Sequence, residues 1–292
     1  MNFLLTKRII VLFIVAVFGL YVLLATVPFL LATYTESRDK GRAEQAYSEA
    51  RAKLSSEEKA INFAEQYLVT NASTIKPAER LFVSYLQRKF DRTKELNVES
   101  LPIGLAEDSP RYPQEINLMA RIAYPDKLVD RLPAGEVSEI NYTNIYGANC
   151  DHMSLPKDFW QKVQQNVNMG GYHATHVILM FEFMKDNQCS MPPIAMDIKA
   201  RAIESVRELA QDVNTPRDLW YESVAFLMLA GRHDLVDVDW ITRITADQED
   251  NGSWVDRTAR DAIGHTTLLA YWSLLEYKYP DRPGEPLIRR PS

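Results

Sequence analysis

Hydrophobic and polar positions change their rhythm several times along this chain. Residues 9–34 form one apolar run, with 27 consecutive uncharged residues between Arg8 and Glu36. As a helix that run is about 40 Å long, enough to cross a hydrocarbon core of about 30 Å with some tilt. A cleaved signal peptide carries only about 7 to 15 apolar residues and ends in a small-x-small site. Because the run is longer and LLATYT is a poor cleavage site, residues 1–35 are expected to be a retained transmembrane signal anchor. Residues 36–54 are charged nearly all round, which predicts a solvated helical stalk. From residue 55 apolar positions recur at helical spacing, first Ile61, Phe63, Ala64, Tyr67 and Leu68. After Pro77, which suits a helix's first position, come Leu81, Phe82, Tyr85, Leu86 and Phe90. The period fades between about 92 and 155, where prolines cluster. An irregular insert with one short helix near 114–123 is expected there. From Pro156 onward helical periods return and persist, and no segment alternates with period two for long. The pattern predicts an all-α soluble domain over 55–282, with a disordered, proline-rich tail at 283–292.

Two stretches of that domain repeat. Gln165, Asn168, Gly170, Gly171 and Tyr172 precede the apolar helix THVILMFEFM; Gln248, Asn251, Gly252, Ser253 and Trp254 precede GHTTLLAYWSLL. A third helix, YESVAFLMLAG, aligns without the glycine loop and carries Glu222 where the others carry His176 and His265. Spacings of 46 and 43 residues separate the three positions, about the length of a two-helix repeat. Amphipathic helices alternate with more uniformly apolar ones, as outer helices packed around inner ones would. This predicts α/α-hairpin layering.

QEDNGSW at 248–254 resembles the Q-x-x-x-G-x-W element of the α/α-toroid enzymes, the terpene cyclases and protein prenyltransferase β subunits. RDAIGHTTLLAYWSL is similar to the zinc-histidine helix of the prenyltransferases, with His265 at the ligand position. The resemblance covers about 120 residues and implies a partial toroid-like architecture. DVDW at 237–240 lacks the cyclases' further aspartate and no Asp-x-Cys pair precedes His265, so prenyl and terpene chemistry is not carried over.

If three inner helices start at one end of the domain, His176, Glu222 and His265 converge there. Imidazole and carboxylate in that mixture suit Zn or another divalent transition metal, so these three are the candidate metal ligands. His173 shares a helical face with His176, while Asp218 and Asp261 lie one turn before Glu222 and His265; these three are candidate catalytic residues. A polar core network built from the same side chains is the bland alternative, and a metal-free acid–base cleft is a third reading.

Charge narrows the partners. Without residues 1–35 the chain keeps 31 basic against 39 acidic residues and has no basic run of five or more, which argues against nucleic acid. Cationic residues flank the apolar run on both sides, so their count does not orient it. A short lead before a large domain favours an outward, periplasmic or extracellular placement. The only cysteines, Cys150 and Cys189, could form a disulfide there. Two functions are expected from these observations. One is a membrane-anchored hydrolase or lyase acting on an envelope component, protein or glycan. The other is a non-catalytic scaffold or assembly factor that holds a protein partner at the membrane.

Overall fold

The computed structural model describes residues 56–72, 75–92, 119–128, 137–256, 263–282 and 284–289. The chain divides into Met1–Ala52 and Lys53–Ser292, and every described residue belongs to the second unit. The expected membrane span, the stalk and Asp261 lie outside the described residues. Among the described residues no helix is long and apolar enough to cross a membrane, and there is no strand.

Nine α-helices are described: α1 (Ser56–Thr70), α2 (Pro77–Phe90), α3 (Glu139–Asn149), α4 (Phe159–Met169), α5 (Gly171–Asp186), α6 (Ile194–Gln211), α7 (Arg217–Leu229), α8 (Val238–Ala246) and α9 (Ile263–Lys278). Burial sorts them into two kinds. In α5 every residue from Val177 to Met184 is buried, in α7 every residue from Asp218 to Met228, and in α9 every residue from Thr266 to Tyr277. In α6 only one stripe is buried, Ala195, Ile198, Ala202, Ile203, Val206 and Ala210, and in α8 only Ile241 and Ile244. A helix buried all round must be enclosed by others, whereas a striped one covers them. The packing agrees: α3, α5, α7 and α9 pack each against the next, α4 and α6 lie over α5, α6 also covers α7, and α8 covers α9. The amino-terminal helices α1 and α2 both pack on α9.

Indole groups tie the ends of two outer helices to residues ten positions later in the chain. Trp220 Nε1 donates to the Ala210 carbonyl at 2.8 Å and Trp254 Nε1 to the Ile244 carbonyl at 2.7 Å. Each satisfies a last-turn carbonyl that has no partner within its own helix. The QEDNGSW loop docks on α1 through Gln248, whose Nε2 donates to the Ala60 carbonyl at 2.8 Å and to the Gly252 carbonyl at 3.1 Å. Gly252 has φ +87°, and a Cβ there would collide with the Phe63 carbonyl. The position therefore requires glycine both for its dihedral and for its close approach to α1.

Two expectations are corrected. Part of the expected irregular insert is helix α3, in which Asn141, Thr143, Asn144, Gly147 and Asn149 are buried. Its apolar period is faint because much of its buried face is polar. Gly147 lets α3 approach α5 closely, since a Cβ there would sit 3.0 Å from the Met180 carbonyl and Cγ. Of the short helix expected near 114–123, residues 114–118 lie outside the described residues, and the described part holds a 3-10 turn, Ala120–Ile122. In the expected disordered tail, Leu287 and Ile288 are buried. The Leu287 amide donates to Asp186 Oδ2 at 2.6 Å, and Arg88 Nη2 donates to the Pro286 and Leu287 carbonyls at 3.3 and 3.2 Å. Long-range partners, absent from any local pattern, hold that segment.

Candidate functional site

Five helices present residues near their starts to one cavity of about 230 Å3. Glu79 comes from α2, Asn141 and Asn144 from α3, Tyr172 and His176 from α5, Glu222 from α7 and His265 from α9. One turn further along the same helices stand Leu81 and Phe82, Leu179, Phe226, and Leu268 and Leu269, with Trp272 and Ile122 beyond them. Residues three or four apart on a helix share a face. The same face therefore supplies a polar rim at the helix starts and an apolar interior one turn deeper.

Asp218 is the organising group. It is buried and accepts from three side chains: His265 Nδ1 at 2.9 Å and Thr266 Oγ1 at 2.8 Å on Oδ1, and the Tyr172 hydroxyl at 2.9 Å on Oδ2. Burial pushes the Asp218 carboxyl up, but the bonds from His265, Thr266 and Tyr172 prevail and hold it below the ordinary range. Burial also opposes charge on His265; the hydrogen bond and charge of Asp218, with Glu222 and Glu79 nearby, outweigh it and raise the imidazole to about 9. With Nδ1 committed to Asp218, Nε2 is the ring nitrogen left for the cavity.

Glu222 sits one turn after Asp218 on α7. It is buried, accepts a short hydrogen bond from Thr175 Oγ1, and lies 3.7 Å from His176 Nε2. Burial raises its carboxyl to about 7, against the opposing pull of His265 and Thr175. His176 behaves differently. Burial, then the neighbouring His265 and His173, lower it to about 4, so it is neutral at physiological pH. Asn144 Nδ2 stands 2.9 Å from His176 Nδ1; with the amide donating, the proton of the neutral ring is on Nε2, facing Glu222.

His176, Glu222 and His265 thus line one cavity, and Asp218 holds His265 through a hydrogen bond. His173 is half-buried, does not line the cavity, and its Nδ1 is buried with no hydrogen-bond partner among the described residues. Among the described residues, no group of three or more His, Cys, Asp or Glu is arranged to hold a metal ion. Asp218 occupies one nitrogen of His265 and Asn144 one nitrogen of His176. Cys150 and Cys189 are joined in a disulfide, with Cα atoms 6.1 Å apart, which ties the end of α3 to the segment after α5.

Several site residues escape the sequence reading: Glu79, Asn144, Tyr172, Thr175 and Thr266. Tyr172, Thr175 and His176 share one face by spacing, and Glu79 precedes Leu81 and Phe82 as Glu222 precedes Phe226. That polar-then-apolar signal, repeated on several helices, could have found them. No family model matches the chain, and neither a curated protein nor a solved structure does.

Proposed function

We propose that this chain is an enzyme of hydrolase or lyase type, in which Glu222 and the Asp218–His265 pair act as base and acid on a small, largely apolar substrate. The observation that carries the reading is a carboxyl and an imidazole lining one cavity that are both displaced upward, Glu222 to about 7 and His265 to about 9. Between those values the carboxylate is free to accept a proton while the imidazolium still has one to give. Groups tuned in this way are the usual signature of general acid–base chemistry. Glu222 would take a proton from an attacking water or from an activated carbon, and His265 would donate toward the oxygen on which charge develops. Tyr172 and Thr266 are positioning residues, because they fix Asp218, which in turn orients His265.

The apolar run at 9–34 and the Cys150–Cys189 disulfide support a membrane-anchored, envelope-facing placement for this activity. Zn or a similar ion is a proposal for the same residues, using His176, Glu222 and His265. Stoichiometric metal on the purified chain, lost in a His176→Ala, His265→Ala pair, is its test.

The acid–base reading is tested by assaying the full chain in lipid nanodiscs against a panel of chromogenic esters, lactones and β-substituted acids. Glu222→Gln and His265→Gln are each expected to lower kcat by about 100-fold or more on any substrate turned over. A turnover that survives both substitutions would overturn the assignment.

A further inference from the structure

The polar rim holds more hydrogen-bond acceptors than donors. Glu79 is buried in the first turn of α2, and its Oε2 has no partner among the described residues. Asn144 is fully buried and spends its amide nitrogen on His176, which leaves Oδ1 without a partner among the described residues. Both residues line the cavity beside Glu222. Buried acceptors without donors are costly, and in native proteins they point to something that completes them. Charge leans the same way. Three carboxyls, Glu79, Asp218 and Glu222, face two imidazoles, and Asp218 is already matched by His265. That leaves Glu79 Oε2 and Asn144 Oδ1 to be satisfied from the cavity itself, beside a Glu222 carboxyl that already accepts from Thr175. Beyond them the lining is apolar. At about 30 Å3 per water-sized group, the 230 Å3 cavity has room for roughly seven or eight such groups.

We infer that the cavity binds an organic cation with an apolar body, its ammonium head donating to Glu79, Glu222 and Asn144 and its hydrocarbon part lying against Phe82, Phe226 and Trp272. An ammonium has three donors and no acceptor, which suits two acceptors that lack donors and the Glu222 carboxyl beside them. This inference rests on the acid–base reading of the same cavity and names its substrate class, a small amphipathic amine derivative. An anionic ligand is the physical competitor, because five helix starts face the cavity and helix N-termini attract negative charge. The three carboxyls of the protein already occupy that field.

The test is calorimetric binding to the full chain in lipid nanodiscs, with hexylammonium, hexanol and hexanoate as probes and empty nanodiscs as the blank. Hexylammonium is expected to bind more tightly than hexanol by about tenfold, with hexanoate weaker than either. Glu79→Gln, which keeps the shape and removes the charge, is expected to erase most of the hexylammonium advantage while leaving hexanol unchanged. Equal binding of hexylammonium and hexanol, preference for hexanoate, or an advantage that survives in both Glu79→Gln and Glu222→Gln would each overturn the inference. Turnover that depends on Glu222, in a chain that prefers hexanoate, would sink the cationic ligand and spare the acid–base reading. Hexylammonium binding without turnover of any substrate would do the reverse.

Discussion

Asp218 decides the behaviour of the site through three hydrogen bonds, and each has a consequence that can be read separately. Without its carboxylate, the His265 ring loses the partner that outweighs burial. Asp218→Asn is therefore expected to move the His265 pKa from about 9 down toward or below its ordinary value. In kcat/KM against pH, the wild type should rise through about 7 as Glu222 ionises and fall through about 9 as His265 loses its proton. Asp218→Asn should pull in the alkaline limb. Thr175→Val should instead push the acidic limb upward, since the Thr175 hydroxyl stabilises the Glu222 carboxylate. If the two substitutions move the same limb, the two groups do not have the separate roles assigned to them.

At the scale of helices, the starts of α5, α7 and α9 were legible because polar residues interrupt long apolar segments at repeated positions. His176, Glu222 and His265 stand out against helices that are otherwise buried all round. Helix α3 was not legible, because Asn141, Thr143, Asn144 and Asn149 are buried through contacts with other helices and leave no apolar stripe. Glu79 was hidden for a related reason: an acid in a first turn normally reads as a favourable end charge. The docked tail depends on Arg88 and Asp186, both remote in sequence, so its prolines misled. The QEDNGSW loop was legible as a motif, while the purpose of its glycine emerges only against α1. Gly252→Ala is expected to destabilise by about 2 to 3 kcal/mol, from the left-handed dihedral and the collision with the Phe63 carbonyl. Chemical denaturation measures this; an unchanged midpoint would mean that the loop is not seated on α1 as described.

For the whole molecule, the disulfide and the pH act as two global levers. Reducing Cys150–Cys189, whose separation is 39 residues, should lower stability by about 3 to 4 kcal/mol with little change in secondary structure. Acidity acts through the site. The folded state keeps a proton on His265 up to about 9 against an ordinary 6.5, so its stabilisation is complete below about 6.5 and is lost as pH rises through about 9. Glu222 also holds its proton longer when folded, to about 7 from 4.5, so its ionisation removes stability over that range. His176, lowered from 6.5 to about 4, has the opposite slope and offsets Glu222 below about 6.5. The melting temperature should therefore vary little in mild acid and fall between about pH 6.5 and pH 9. In Asp218→Asn the alkaline part of that fall should be much reduced. Both statements depend on how the protons are distributed among the helix starts, which imidazole NMR reads without any substrate. Titrating the ring resonances of the full chain should show His265 changing charge near 9 and His176 near 4. Two rings titrating together near the ordinary value of 6.5 would contradict the account.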